Sequence, residues 1–219
     1  MRKFNFFLKR AFDIVLSLVV LLVFTVIPVM IVVPIVIKLT DKGPAFFKQE
    51  RVGKDGKIFV MYKFRTMITA RYDKDGNEIM SENRITKVGK LLRKTSLDEL
   101  PQLFNVLNGT MSIVGPRPML DYQAPRCIGE EVLRFQVKPG LTGLAQVKGR
   151  NNIRWEERIQ YDIEYVKNFT FWLDMVILVK TALLVFRKTG TDVKPEYRGV
   201  DRFSKYYVPP TEEEPKDNV

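Results

Sequence analysis

The sequence contains no histidine and only one cysteine, Cys127, among its 219 residues. Histidine is the usual side chain for proton transfer near neutral pH and a common zinc ligand. Its absence excludes a Ser-His-Asp triad and any histidine-containing zinc site. A lone cysteine cannot form a disulfide within the chain, which fits a reducing compartment, and no histidine is present to activate it as a nucleophile. Any catalysis must therefore use Asp, Glu, Lys, Arg, Tyr, Ser or Thr.

Two common glycine motifs for binding nucleotides are also missing. The segment KPGLTGLAQVKGRN (138–151) contains glycines and basic residues, but it matches neither a Walker A loop nor a dinucleotide-binding fingerprint. Acidic residues are in the minority, with 25 Asp and Glu against 36 Lys and Arg, and the formal net charge is +11. This excess predicts an anionic partner, and the charge alone leaves open a nucleic acid, a phospholipid surface or a phosphorylated substrate.

A long apolar segment is present near the N-terminus. Residues 14–37 include no charged side chain, and their length exceeds the roughly 20 residues that cross a bilayer. Basic residues flank both ends, although such residues usually stay on the cytoplasmic side. Pro28 and Pro34 each remove a backbone donor and favour a kink. An ordinary kinked span is the commoner structure, but the two basic flanks favour a re-entrant helix that breaks at Pro28 and returns to the same side.

The rest of the chain has the features of a mixed α/β domain that is mostly helical. Asp55-Gly56 lies between two β-prone runs and predicts a small β-hairpin. Apolar residues recur with helical spacing over residues 155–166, which is typical of a helix packed on a core. The apolar run 171–186 includes Asp174 and Lys180, and this pattern predicts an amphipathic helix lying at a membrane interface.

These features divide the sequence into three predicted parts. They are a re-entrant membrane helix with basic flanks (1–40), a larger domain (41–190) and a C-terminal extension (191–219), and the family resemblance given below implies that the larger one is the cytoplasmic catalytic domain. The extension ends in an acidic, proline-containing tail, a composition that predicts disorder. Within the catalytic domain, the polar segment 72–78 is expected to be a surface loop.

The densest group of reactive side chains surrounds the pair Asp98–Glu99. Apolar residues with helical spacing follow at 100–107, so the pair is expected at the start of a helix. One interpretation is structural, because Ser96 and Glu99 have the spacing of a capping box, and on spacing alone a cap is the commoner case. The other interpretation is catalytic. An acidic pair beside basic residues can hold Mg²⁺ against a pyrophosphate, and one carboxylate can attack phosphorus.

Basic residues that could face a phosphate occur in three places. Chemistry at phosphorus needs positive groups that stabilise charge on the non-bridging oxygens. Arg93 precedes the acidic pair, and prolines on both sides of Arg117 could fix its guanidinium against a phosphate. Lys63 lies on a predicted strand, where its side chain could face either a phosphate or solvent.

Several segments taken together resemble one family, the monotopic phosphoglycosyl transferases, also called bacterial sugar transferases. The resemblance runs over roughly residues 8–187, and the pieces occur in the order typical of that family. The block around Asp98 is the most specific of them. The matching segments are KRAFD (9–13), GPAFFKQERVG (43–53), KFRTM (63–67), RKTSLDELPQLFNVLNGTMSIVGPRP (93–118), KPGLTGLAQVKGRN (138–151) and YDIEYVKNFTFWLD (161–174).

The resemblance implies a reaction and a place for it. The enzyme would move a sugar 1-phosphate from a UDP-sugar to polyprenyl phosphate, typically undecaprenyl phosphate, at the cytoplasmic face of the bacterial inner membrane. Asp98 corresponds to the nucleophile that attacks the β-phosphate, so that UMP leaves and a phosphosugar stays on the carboxylate until the lipid phosphate takes it. Glu99 completes the catalytic pair, and Asp98 and Glu99 are expected to hold Mg²⁺.

Other site residues are implied by their positions in the family motifs. Pro28 corresponds to the break in the re-entrant helix, and Asp174 matches a motif position with no assigned role. The expected partners are a UDP-sugar, polyprenyl phosphate and an anionic phospholipid membrane. The sugar and the pathway stay open, and so does assembly into a homo-oligomer. Four basic residues are expected to contact phosphates: Lys63, Arg93, Arg117 and Arg150.

Two other classes of protein fit the sequence less well. A single-span protein with a nucleic-acid-binding domain would interleave basic residues with stacking aromatics or contain a helix-turn-helix, and neither pattern is apparent. No nucleic-acid partner is therefore expected. A glycosyltransferase that transfers the sugar directly usually has an Asp-X-Asp metal motif, for which Asp73-Lys74-Asp75 in a polar segment is the only candidate. The nucleotide product distinguishes the two transferase reactions, because direct transfer releases UDP.

Overall fold

The computed structural model describes residues 2–26, 28–40, 43–70, 83–149 and 153–187. Most of these residues are helical and two small sheets accompany the helices, which confirms the expected mostly helical mixture. The polar segment 72–78, Arg150 and the extension 191–219 lie outside the described residues. In chain order the elements are α1 (Arg2–Val26), α2 (Val29–Thr40), β1 (Phe46–Val52), β2 (Ile58–Phe64), α3 (Lys87–Thr95), α4 (Gln102–Leu107), β3 (Ser112–Val114), β4 (Gly140–Thr142), α5 (Leu144–Lys148), α6 (Trp155–Lys167) and α7 (Phe171–Arg187).

Helices α1 and α2 form a bent pair with an angle of 60° between them. Pro28 lies in the break, and its carbonyl accepts a hydrogen bond from Val32 N–H at 2.7 Å. The first N–H groups of a helix have no partner within the helix, so a proline at the start of α2 costs no hydrogen bond. Pro34 lies inside α2 without ending it. Among the described residues no single helix is long and apolar enough to cross a bilayer, whereas the bent pair meets that test by length and composition.

Strands β1 and β2 form the predicted antiparallel hairpin around Asp55-Gly56. Both residues have positive φ, 55° and 74°, as the tight turns favoured by an Asp-Gly pair require. The register pairs Phe47 with Lys63 and Arg51 with Phe59. Because side chains alternate along a strand, Lys63 and Arg51 lie on one face of the hairpin together with the buried Phe59.

The main core lies between the hairpin, β3 and the helices α6 and α7. Met111, Tyr165 and Ile177 are among its fully buried side chains. Each such burial stabilises the fold by roughly 1.5–3 kcal/mol. The buried residues Ile159 and Ile163 confirm that the stripe at 155–166 faces a core.

Polar side chains attach the first half of α1 to this core. Lys9 Nζ donates to Asp174 Oδ2 at 2.6 Å and to the Val114 carbonyl at 2.8 Å. Asp13 accepts hydrogen bonds from Ser112 Oγ at 2.6 Å and from the N–H of Ile113 at 3.2 Å. These buried groups satisfy one another, so the contacts fix α1 against strand β3 at little cost in lost hydrogen bonding.

Helix α7 is the amphipathic helix predicted over residues 171–186. Asp174 is buried on one side, whereas Trp172 is 76% exposed and Val176 and Val179 are exposed as well. Lys180 also lies on the exposed surface. The helix therefore presents an apolar face that the described residues do not cover.

Candidate active site

The Asp98–Glu99 pair lies on a turn between two helices. α3 ends at Thr95, and Ser96 adopts a left-handed backbone conformation with φ 57° and ψ 16°. That conformation is uncommon for any residue other than glycine, and it directs the chain into a short 3-10 turn, Leu97–Glu99. Backbone strain of this kind is concentrated at functional sites, so the turn marks the pair as a candidate site.

The capping-box interpretation of this segment is wrong. Ser96 makes no side-chain hydrogen bond to the turn that follows it, and α4 begins after Pro101 without a side-chain cap. Ser96 instead ends α3, where its N–H donates to the Arg93 carbonyl at 3.3 Å. The carboxyl group of Glu99 bonds to cations rather than to the backbone of Ser96. A structural cap therefore does not explain the acidic pair.

Glu99 is held by two cations from distant parts of the chain. Its Oε1 accepts hydrogen bonds from Lys63 Nζ at 2.6 Å and from Nη2 of Arg117 at 3.3 Å. Burial by itself would raise the pKa of Glu99, but Arg117 and Lys63 outweigh burial and lower the pKa to about 2. Glu99 is therefore ionised near neutral pH, and its charge fixes the two cations.

Asp98 is in a different electrostatic environment from its neighbour. Burial raises the pKa of Asp98, the Glu99 carboxylate raises it further, and Lys63 and Arg93 only partly oppose this. Asp98 forms no salt bridge with any residue that the structure describes. Adjacent carboxyl groups whose pKa values move apart are typical of a pair with two roles. Glu99 fits the role of a fixed charge, and Asp98 is available to another group.

Arg93 lies in the last turn of α3, near enough to Asp98 for its charge to lower the pKa of that carboxyl group. Its Nε donates to Thr66 Oγ1 at 2.9 Å, and its charge opposes the rise in the pKa of Asp98 that burial causes. Helix α3 packs closely on Thr66, because a Cβ at Gly89 would meet the Thr66 carbonyl group. Glycine at position 89 is thus needed for the approach that places Arg93 beside Asp98.

A buried ion pair holds the backbone at Arg117. Arg134 and Asp162 form a salt bridge of 2.6 Å with both side chains 1% exposed. A second hydrogen bond, of 2.8 Å, runs from Arg134 to the carbonyl of Arg117. The carbonyls of the two flanking prolines accept hydrogen bonds from Gly140 N–H at 2.9 Å and from Arg51 at 3.1 Å. The Pro-Arg-Pro segment is therefore fixed on both sides, and its guanidinium reaches Glu99.

The sequence model of one family, the bacterial sugar transferases, matches residues 4–188. The chain belongs to this family. It is 45% identical over 202 residues to the undecaprenyl-phosphate galactose phosphotransferase of Salmonella typhimurium. It is 42% identical over 191 residues to the UDP-glucose:undecaprenyl-phosphate glucose-1-phosphate transferase of Escherichia coli. It is also 46% identical over 183 residues to the uncharacterized sugar transferase EpsL of Bacillus subtilis.

These relatives differ in how much of their own length the chain covers. The alignments include 84%, 83% and 84% of this chain, respectively. They include 41% of the Salmonella typhimurium protein and 41% of the Escherichia coli protein, but 89% of the Bacillus subtilis protein. The chain therefore corresponds to less than half of the first two relatives and to most of the third.

In this bacterial sugar transferase the predicted residues separate into the site around Asp98–Glu99 and the α1 anchor, which is the set of contacts by which Lys9 and Asp13 hold α1 against β3 and α7. Asp174 lies away from the acidic pair, where it binds Lys9 and accepts a hydrogen bond of 2.8 Å from the Tyr165 hydroxyl. The ion pair with Lys9 attaches α1 to α7. Arg150 lies outside the described residues, and Pro28 lies at the helix break. The residues that meet at the site are Lys63, Arg93, Asp98, Glu99 and Arg117.

Two further polar residues of the transferase lie beside Arg117 and are absent from the sequence predictions. Arg51 and Gln102 line a small cavity with Arg117. Arg51 could have been found by counting in steps of two around the hairpin from Lys63, because the register places both on one face. Gln102 has no comparable local signal, since its position depends on how α4 packs.

The carboxyl groups fit a metal only when a substrate completes its coordination. Within the described ranges, no three acidic or cysteine side chains come together as a metal site. Mg²⁺ commonly takes one or two carboxylates and completes its coordination with water and substrate phosphates. Asp98, which has no ion pair within the described part of the chain, fits that requirement better than Glu99, whose Oε1 is already bound by two cations.

Proposed function

We propose that this bacterial sugar transferase moves a sugar 1-phosphate from a UDP-sugar to polyprenyl phosphate, typically undecaprenyl phosphate, with release of UMP. The observation that carries the proposal is the unequal acidic pair. Glu99 is bound by Lys63 and Arg117, while Asp98 beside it has no ion pair among the described residues. The Salmonella typhimurium and Escherichia coli relatives are named for transfer to undecaprenyl phosphate, which supports the same acceptor here.

The proposed reaction has two displacement steps at one phosphorus. The Asp98 carboxylate attacks the β-phosphorus, an O–P bond forms, and the bond to the bridging oxygen breaks so that its electron pair leaves with UMP. An oxygen of the polyprenyl phosphate then attacks the same phosphorus and the Asp98 carboxylate leaves. Both steps concentrate negative charge on the non-bridging oxygens, which Arg117, Lys63 and Arg93 are placed to stabilise.

We expect Mg²⁺ to be held chiefly by Asp98, with Glu99 beside it and the substrate pyrophosphate completing the coordination. The bound cation would supply positive charge to the phosphoryl oxygens. The protein side chains have roles separate from that of the metal. Glu99 orders the two cations, and the fixed Pro-Arg-Pro segment orients Arg117.

The proposed acceptor is a membrane lipid, so the site must lie against a bilayer. We propose that α1 and α2 enter and leave the cytoplasmic leaflet of the inner membrane, with α7 lying on its surface. Their exposed apolar side chains, such as Leu22, Ile35 and Val179, support this placement. The reaction would be the first membrane step in the synthesis of a bacterial glycoconjugate.

Incubation of the purified chain with Mg²⁺, undecaprenyl phosphate and a panel of UDP-sugars is expected to release UMP with at least one sugar. The nucleotide products are separated by ion-exchange chromatography, and the mass of the lipid product is determined by mass spectrometry. A pyrophosphate-linked sugar should appear in equal amount with UMP. Equal amounts of UDP and a monophosphate-linked sugar would instead establish direct glycosyl transfer and contradict the proposal.

The re-entrant topology predicts the side from which both ends of the α1–α2 pair can be labelled. Single cysteines are introduced by Asn5→Cys and Lys48→Cys after the buried Cys127 is replaced with alanine. In intact cells, a membrane-impermeant maleimide should label neither position, and it should label both after the inner membrane is permeabilised. Labelling of one position in intact cells would show that the pair crosses the membrane.

A further inference from the structure

We propose that Arg51 and Gln102 form, together with Arg117, a second phosphate-binding subsite beside Asp98–Glu99. The ligand is the phosphate group that Asp98 does not attack. Two substrates could supply it, the nucleotide through its α-phosphate and the lipid acceptor through its phosphate. The inference rests on the proposed function, which requires that two phosphate groups lie near one another during each step.

Arg51 is a cation without a salt bridge among the described residues. Its side chain donates to the Pro118 carbonyl at 3.1 Å and to Gln49 Oε1 at 2.6 Å, and both acceptors are uncharged. Its Nε has no hydrogen-bond partner in the part of the chain that the structure describes. A partly buried guanidinium that lacks an anionic partner is unfavourable, so an anionic ligand would stabilise it.

Arg51 is influenced by both burial and a second cation, Arg117. Burial lowers the pKa of Arg51 to about 10, with Arg117 as the next largest cause. Tyr122, Asp121 and Glu99 oppose this lowering without cancelling it. A phosphate bound between the two guanidinium groups would reduce their mutual repulsion.

Gln102 supplies an independent observation for the same place. It is only 3% exposed, yet its Nε2 has no hydrogen-bond partner among the described residues. Buried amide donors are nearly always paired, so this one points to a group that is supplied by a ligand. Together with Arg51, Arg117, Met61 and Pro118, Gln102 lines a cavity of about 10 Å³.

The size of the cavity indicates how a phosphate would bind. About 10 Å³ is the space that one water-sized oxygen needs. A single phosphate oxygen could therefore enter between the Gln102 amide and the two guanidinium groups, while the rest of the phosphate stays outside. Arg117 joins this subsite to the catalytic pair, because it also donates to Glu99 at 3.3 Å.

The test compares Arg51→Met and Gln102→Leu with the matched control Lys54→Met. Lys54 lies in the turn of the same hairpin and loses the same charge, but its side chain is 48% exposed. The Kd of UMP, measured by calorimetry without turnover, tests whether the nucleotide supplies the phosphate. The KM for undecaprenyl phosphate tests whether the lipid acceptor supplies the phosphate. We expect one of these two constants to rise at least about ten-fold in Arg51→Met and in the same direction in Gln102→Leu, as loss of a charge-assisted hydrogen bond predicts.

The outcomes separate this inference from the proposed function. A weaker UMP affinity assigns the subsite to the nucleotide, and a higher KM for the lipid assigns it to the acceptor. If both constants stay within two-fold of the Lys54→Met values, the subsite is overturned, even where the wild-type chain releases UMP. Thermal melting of each variant establishes folding. Arg51→Lys keeps the charge without the planar guanidinium and replaces Arg51→Met if that variant does not fold.

Discussion

Replacement of Asp98 by asparagine is expected to reduce UMP release by at least about 10⁴-fold, as loss of a catalytic nucleophile does in other enzymes. The amide has nearly the same shape as the carboxylate, but it carries no negative charge and attacks phosphorus poorly. Because Glu99 and not Asp98 binds Lys63 and Arg117, the substitution leaves both ion pairs of the site in place. The rate is measured in a single turnover, so that product release does not limit it.

The matched control for this substitution is Asp55→Asn. Asp55 lies in the exposed hairpin turn, and its removal changes the net charge by the same amount as Asp98→Asn. UMP release by Asp55→Asn should stay within about two-fold of the wild-type rate. Mass spectrometry of the intact protein without acceptor should detect a phosphosugar adduct in the control and none in Asp98→Asn. UMP release by Asp98→Asn at the control rate would exclude Asp98 as the nucleophile.

Local features of the fold could be predicted from the sequence because their causes are local. The hairpin depends on the positive φ that Asp55-Gly56 accepts, and α6 depends on apolar residues at helical spacing. The same kind of pattern predicts the helical segment that contains α4. No spacing rule reveals the left-handed conformation of Ser96 that precedes it. An N-cap residue usually has an extended backbone, so the left-handed Ser96 does not form the capping box.

Contacts between distant parts of the chain could not be predicted from patterns. Lys63 and Glu99 are separated by 36 positions, and Lys9 and Asp174 by 165. Which acid each lysine meets depends on how the hairpin and α1 pack, and composition carries no information about that. Resemblance to a family could name Asp174 as a motif position, but its ion pair with Lys9 becomes visible only in the structure.

The α1 anchor and the catalytic pair are connected through strand β3. Lys9 donates to the carbonyl of Val114 at 2.8 Å, and Val114 ends the strand that leads into Arg117. The position of Arg117 relative to Glu99 is therefore tied to the same strand that holds the apolar helix α1. This arrangement would keep the site at a fixed height above a bilayer, where the polyprenyl phosphate of the proposed reaction must arrive.

The largest loss of stability is expected when the buried ion pair Arg134–Asp162 is broken. Asp162→Ala is expected to reduce the free energy of unfolding by about 3–5 kcal/mol, because it leaves Arg134 buried without an anionic partner. For a chain of this size that loss corresponds to a decrease in Tm of roughly 6–20 °C. Differential scanning fluorimetry in detergent measures the change. Since Arg134 also donates to the Arg117 carbonyl, activity should fall at temperatures well below the new Tm.

Two comparisons separate the lost ion pair from a lost side chain. Glu130→Ala removes one partner of the exposed pair Lys167–Glu130, whose side chains are 49% and 70% exposed, and should cost less than about 1 kcal/mol. Burial raises the pKa of Asp162 despite Arg134, so the desolvation of the carboxylate is not fully compensated by its partner. The double variant Arg134→Met/Asp162→Leu should therefore recover most of the stability that Asp162→Ala loses. A double variant no more stable than Asp162→Ala would show that packing, and not the stranded charge of Arg134, causes the loss.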